Sequence, residues 1–383
     1  MKRLRIVVLG YVVRGPLGGF AWHHLQYVMG LKQLGHDVYF AEDSDDYEAC
    51  YNPSDDTTGK DPSYGLRFAG AAFEQLGLGD RWAYYDAHTA RWLGPCRDRM
   101  VAIASSADIV LNVSGVNPLR SWHEKAEIRV LIDTDPAFMQ IRHLTNHAAQ
   151  ALAEGHNSYF SFGENVGLPQ SGIPDDGFAW QPTRQPVVLS AWRTTPGPAV
   201  GKFTTVMQWD SYPMREFNGQ KYGLKSDSFT SYMDLPDRVG QIFELALGSR
   251  TAPKDLLRSR GWAVIDPRGP TKNPVTYQRY IRRSKAEFSV AKHGYTVSRS
   301  GWFSERSAAY LASGRPVIAQ DTGFTDWLDA PGGVLPFTSA EMAVEKIRDV
   351  LGNYEQHCRS AREVAEEYFD SRKVLASLIE RAT

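Results

Sequence analysis

Cysteine is scarce in this chain of 383 residues: Cys50, Cys96 and Cys358 are far apart and odd in number. No CxxC pair or Cys/His cluster exists, so nothing in the spacing points to a zinc site or a disulfide framework. A reducing compartment, the cytoplasm, is the expected setting. An excess of one charge sign is also missing. The 43 Lys+Arg face 44 Asp+Glu, a net charge of -1, which argues against holding nucleic acid by bulk charge. No nucleic-acid partner is therefore expected. No apolar stretch approaches the roughly 20 residues that cross a bilayer. The start superficially resembles a signal peptide, but Arg5 and Arg14 bracket a short apolar run with no small-residue cleavage site after it. It reads instead as a first buried strand. Tandem repeats and low-complexity tracts are absent as well.

What is present is a globular composition, 42% hydrophobic and 12% aromatic, on a length that suggests two domains. Residues 4–9 are a β-branched run ending at Gly10. The loop 14–19 leads to a helical pattern over 21–34 (Leu25, Val28, Met29, Leu31, Leu34), and Gly35 marks the stop. Residues 36–41 follow as a strand, which completes a βαβ unit and implies a parallel sheet. Residues 42–65 are acidic and turn-rich, either a functional insertion or a mobile surface loop. Strands are expected at 108–112, 128–132 and 158–162. The Pro/Gly-rich stretch 167–186 reads as a linker. Beyond it, strands are expected at 187–191, 203–209, 262–265, 286–290 and 316–319. Helices are expected at 235–247, 275–284 and 304–313, and across most of the tail from 339 to 382. The expected division is 1–175, 176–365 and a last helix, 366–383, that crosses back to the first domain. Two such α/β halves predict a cleft, with ligands at the carboxyl ends of the strands.

Residues 286–324 concentrate candidate chemistry. A strand ends in a loop with Lys292, His293, Arg299 and Ser300. Ser304 sits where an N-cap belongs and Glu305 in the first helical turn. Open N–H groups at that helix start, with basic side chains nearby, suit a diphosphate, and Glu305 could accept from ribose hydroxyls. An ordinary capped helix with solvated charges has the same pattern. Asp321 follows the next strand, and Trp302 stands beside the loop as a stacking candidate. In the first half, Gly18 and Gly19 would let backbone amides approach a phosphate or sugar, or simply form a tight turn. His23 and His24 open the helix, and either could act as a general base. His23 is favoured because Phe20, His23 and Tyr27 share a helical face. Asp133 and Asp135 end a buried strand, where a carboxylate could orient or deprotonate an acceptor. Asp135-Pro136 also reads as a helix start, and Glu164 shares that ambiguity.

Two motifs carry a resemblance. Tyr310-Leu-Ala-Ser-Gly-Arg-Pro-Val-Ile-Ala-Gln-Asp-Thr-Gly323 is similar to "AMACGVPVVATDxGG". Gly18-Gly-Phe-Ala-Trp-His-His24, followed by Leu34-Gly-His-Asp-Val38, is similar to a Gly-Gly loop with its "L..GHxV" ending. Together they resemble GT-B glycosyltransferases of the retaining, family-4-like branch. The resemblance implies an α/β GT-B fold, two Rossmann-like domains facing each other across a cleft. It also implies sugar transfer (hexosyl type) from a nucleotide sugar such as a UDP-sugar to a small-molecule or glycan acceptor hydroxyl, with no metal and no further cofactor. It places the donor on Gly18, Gly19, Lys292, His293, Arg299, Trp302, Ser304, Glu305 and Asp321. The family's cation pair for the leaving diphosphate falls on Arg193 and Lys202, with Lys225 a further candidate. His23 or Asp135 is the implied catalytic group, under either retention or inversion. The family's ribose-binding Glu falls here on Ala309, with Glu305 one turn earlier, and the preceding Glu of its pair falls near Gly301. Asp133-Thr-Asp135 has the spacing of the metal-binding Asp-x-Asp of GT-A enzymes, which have a different fold. A sugar-nucleotide 2-epimerase and a non-catalytic nucleotide-sugar binder on the same scaffold are the alternative readings.

Overall fold

The computed structural model describes residues 2–383. Its first sheet has eight strands in the spatial order Trp180–Pro182, Ser158–Ser161, Ile128–Asp133, Ile109–Val113, Arg5–Leu9, Asp37–Asp43, Trp82–Asp86 and Arg91–Leu93. All neighbours run parallel except the last pair. The strands read as near-continuous apolar runs because helices cover both faces. Ile6, Val7, Val8, Val110 and Leu111 are completely buried. The order reverses between Arg5–Leu9 and Ile109–Val113, and that reversal is the topological switch point.

The second sheet is six-stranded and wholly parallel, in the order Ala263–Ile265, Phe243–Gly248, Phe203–Gln208, Ala286–Ser289, Val317–Gln320 and Val334–Phe337. Its switch point lies between Phe203–Gln208 and Ala286–Ser289. Each sheet has its own apolar core. A third cluster, with Trp22, Trp192, Tyr277 and Phe303, lies where the domains meet.

Several expectations are corrected. Residues 187–191 are not a strand. Val187 makes an isolated bridge to Asp370 and is buried with Val188, in extended chain that passes between the domains. The helix expected over 235–247 is two elements, helix Leu235–Val239 and strand Phe243–Gly248. Gly240, at φ +91°, breaks the chain between them, and a short apolar run cannot by itself distinguish a buried strand from a helix. The linker contains the edge strand Trp180–Pro182, so the first sheet extends past residue 175. The 42–65 insertion holds a hairpin, Cys50–Asn52 with Thr57–Gly59, and helix Ser63–Gln75 begins at its end. The terminal helix Ser371–Ala382 packs on helix Gly18–Gln33 and adds Leu375, Leu378 and Ile379 to the first domain's core. No helix among the described residues is long and apolar enough to cross a membrane.

The carboxyl ends of both sheets meet across one crevice. Asp135, just past strand Ile128–Asp133, pairs with Lys292, just past strand Ala286–Ser289, at 2.8 Å. The Asn165 amide, beyond Ser158–Ser161, donates to the carbonyls of Arg299 (2.9 Å) and Gly323 (3.0 Å). At one side of the crevice Trp22 donates its indole N–H to Pro274 O at 2.9 Å.

Candidate functional site

The first wall is the loop after strand Arg5–Leu9. The buried Glu42 carboxylate, at the end of the next strand, accepts the N–H groups of Val12 (2.6 Å), Val13 (2.7 Å) and Arg14 (2.7 Å). The Arg14 guanidinium adds a bond at 3.3 Å. Burial pushes the Glu42 carboxyl up, while Arg14 and the three amides pull it down. The amides that a Rossmann loop would offer to a phosphate are thus filled by the protein's own carboxylate. Gly18 and Gly19 have another role in the packing. Gly18 N–H donates to Thr271 O at 2.6 Å. A Cβ on Gly18 would lie 2.4 Å from Asn273 O, and one on Gly19 would lie 3.4 Å from the Tyr277 ring. These glycines let helix Gly18–Gln33 approach the second domain.

His23 and His24 are both buried. His24 is fixed by its neighbours: Nδ1 donates to Phe20 O (2.8 Å), leaving Nε2 to accept Tyr11 N–H (3.4 Å). His23 points its Nε2 at Ser114 Oγ, 3.5 Å away, and Ser114 in turn meets Thr134 Oγ1 at 2.8 Å. Burial lowers the His23 pKa, and the charge of Glu305, from the other domain, offsets part of that effect. A neutral imidazole facing the crevice can take up a proton. Asp133 is buried under Ser161 (2.7 Å), Gln140 (3.0 Å) and the amide of Asp135 (2.8 Å), and burial pushes it up to about 6.

The second wall is built from the ends of the second sheet. Ser304 caps helix Glu305–Ala312 by accepting Arg306 N–H at 3.2 Å. This leaves the N–H groups of Glu305 and Ser307 without a protein acceptor among the described residues. Arg306 is buried and ion-paired to Glu287, with further bonds to Val206 O (2.8 Å) and Ser289 Oγ (3.0 Å). Lys225, half-buried, opens the short helix after the Arg215–Tyr222 hairpin. It has no ion-pair partner among the described residues. Burial first, then the positive charges of Arg306 and Lys292, lower its pKa to about 7. A small cavity of about 10 Å³ lined in part by Ser304 and Ser307 has room for a water molecule at most.

Lys292 does not point freely into the crevice. Its ammonium meets Asp135 and the Tyr212 hydroxyl (2.6 Å), and rings of Phe138, Tyr212 and Tyr295 surround it. Both tyrosine hydroxyls also donate to Asp135, and Lys292 holds that carboxyl below the usual range against the cost of burial. Asp135 is therefore a weak base and a tie between domains. His293 accepts Gly223 N–H at its Nδ1 (3.3 Å). Arg299 pairs with Asp326 at 2.8 Å. Trp302 packs against Tyr295 with ring centroids 4.4 Å apart. Asp321 accepts from Gly323 N–H (2.9 Å) and the Thr325 hydroxyl (2.8 Å), shaping its own turn. Lys202 directly precedes strand Phe203–Gln208, at its amino end, and Arg193 is exposed in the chain before it. Lys202 donates to Gln241 O at 2.5 Å. The expected strand before Arg193 does not exist. Glu42, Arg14, Glu287, Arg306, Tyr212 and Tyr295 escaped the sequence reading, since only contacts distant in sequence reveal them. Among the described residues no three His, Cys, Asp or Glu side chains converge as metal ligands.

No family model and no curated protein matches this chain. Solved structures do match, over essentially the whole chain. An α-glucosyltransferase in complex with UDP-glucose and DNA containing an abasic site superposes with a TM-score of 0.62 at 10% identity, covering 100% of both chains. HepE of Anabaena, in complex with UDP and glucose, gives 0.57 at 12% identity and 99% of both chains. Sucrose-phosphate synthase of Thermosynechococcus elongatus gives 0.51 at 11% identity and 98% of both chains.

The chain has the GT-B fold.

The GT-B likeness also overturns one expectation. The α-glucosyltransferase structures carry DNA, so balanced net charge does not exclude a nucleic-acid partner on this scaffold. Net charge sums the whole surface, whereas binding depends on local charge.

Proposed function

We propose that the protein transfers a glycosyl group from a nucleoside-diphosphate sugar to an acceptor hydroxyl. The observation that carries this reading is the asymmetry across the crevice. The second domain presents two open amides at the start of helix Glu305–Ala312 and an unpaired Lys225, while the first domain faces them with a neutral His23. The diphosphate would lie against Lys225 and the amides of Glu305 and Ser307, with Glu305 on the ribose. As the glycosyl–phosphate bond breaks, negative charge grows on the diphosphate, and these cations and dipoles stabilise it where water is excluded. Protein charge rather than a metal ion is proposed to do this. His23 would accept the acceptor's proton, or orient the sugar. Structures of GT-B glycosyltransferases with UDP or UDP-glucose support the reading.

The test is a thermal-shift panel of UDP, GDP, CDP, ADP and dTDP on the full chain, followed by product analysis with the matching sugar donor. One diphosphate is expected to raise Tm by several degrees, about 2–3 kcal/mol at a hundredfold excess over Kd. No response to any of the five would sink the donor site. Product from donor alone, without acceptor, would point to epimerisation instead.

A further inference from the structure

Beside the crevice, the domains leave a second opening between helix Ser63–Gln75 of the first and helix Pro274–Arg283 of the second. Its volume is about 530 Å³, a size that suits a ligand of several rings or groups. Tyr64, Arg67 and Phe68 line one wall, and Lys272 and Arg279 the other. The lining has three cations and no carboxylate. None of those cations takes part in an ion pair among the described residues. In a chain whose acidic and basic side chains nearly balance, 44 against 43, this is a local departure. Like charges lining one groove repel, and an oligoanion seated between them removes that repulsion. The Tyr64 and Phe68 rings add apolar surface, and Arg67 lies over the Tyr64 ring, 6.0 Å from its centroid. The amides at the start of helix Pro274–Arg283 contribute less, because Asn273 and Thr276 cap them reciprocally. The groove shares Asn273 and Pro274 with the joint at Gly18 and Trp22, so it lies against the contact between the two domains.

We propose that this groove binds a phosphate-bearing acceptor and is distinct from the donor site. The proposal rests on the glycosyl-transfer reading for the word acceptor; the anion site itself stands apart from it. Two probes represent the two sources of such phosphates: inorganic tripolyphosphate for a phosphorylated small molecule, and a fluorescein-labelled oligothymidylate for a phosphodiester strand. Affinities are measured on the full chain with and without saturating UDP. At least one probe is expected to bind, and the tighter one names the source. The triple substitution Arg67→Ala, Lys272→Ala, Arg279→Ala should weaken that probe by about tenfold or more and leave UDP affinity unchanged. For the oligothymidylate it should also flatten the salt dependence, by about 2 in the slope of log K against log salt. The single exposed change Lys272→Glu should act in the same direction, which guards against a misfolded triple variant. Lys225→Met should weaken UDP and spare the probe. Probe affinity unchanged in both groove variants, or no binding of either probe to the parent chain at about 50 mM salt, would overturn the proposal. A parent chain that binds a probe but no nucleoside diphosphate would instead overturn the donor reading and leave the groove standing.

Discussion

The loop after strand Arg5–Leu9 of the first sheet and the loop after strand Ala286–Ser289 of the second face one another, yet their electrostatics are opposite. In the first domain, Glu42 fills the amides of Val12, Val13 and Arg14 with an internal carboxylate. In the second, Ser304 satisfies one amide of helix Glu305–Ala312 and leaves its neighbours open, with an unpaired Lys225 on the same wall. Both loops leave the carboxyl end of a parallel strand. A loop made rigid by its own anion shapes a wall, whereas one with open amides and excess positive charge can receive an anion from outside. Under the proposed function, that contrast is the reason for placing the donor on the second domain.

The largest expected effect comes from breaking the internal anion. Glu42→Ala leaves buried amides and Arg14 without their counter-charge, and should cost about 3–5 kcal/mol. Urea denaturation checks this, and a loss below about 1 kcal/mol would mean that the carboxylate is dispensable. Next, Lys225→Met should weaken nucleoside diphosphate binding by about 10–100-fold, as expected for a charge-assisted contact worth about 1.5–3 kcal/mol. Calorimetric titration of the parent chain should show the same lysine as a pH effect. A bound diphosphate raises the Lys225 pKa from about 7, so affinity is full below that value and falls as pH rises through it. In Lys225→Met this slope should vanish; a slope that persists assigns the titration to another group. The smallest effect sharpens the comparison from the glycine side. Gly18→Ala should cost about 1–3 kcal/mol by crowding Asn273 O. It should do so with little change in diphosphate affinity, because Gly18 belongs to the joint between domains. A selective loss of affinity with unchanged stability would return Gly18 to the donor site.

The helix start at Ser304 was legible because its signal is local: a Ser cap, an acidic first turn and an apolar stripe within a dozen residues. The strands that end at Leu9, Asp133 and Ser289 were legible to within a residue for the same reason. The pairing of Lys292 with Asp135 was not, since 157 positions separate them. Nor was the fate of Asp135, which has the pattern of a catalytic carboxylate but is tied up by a lysine and two tyrosine hydroxyls. Residues 187–191 show a further limit. Two adjacent valines favour extended backbone, but only neighbours can make extended backbone into a sheet strand, and here the chain passes between domains instead. The merged element at 235–247 failed for lack of length: a few buried residues fit either period until Gly240 is seen to turn the chain.

By itself the sequence determined the α/β character, the parallel sheets of two halves, and the starts of helices Pro274–Arg283, Glu305–Ala312 and Ala340–Gly352 to within a residue. These follow from side-chain periodicity and capping, which act within a few residues. Tertiary structure alone decided which loop keeps open amides, which charges remain unpaired and which glycines serve the joint between domains. Each of those outcomes depends on a partner supplied by a distant strand or by the other domain, and hydrogen bonding and Coulomb interaction act through space without regard to position along the chain.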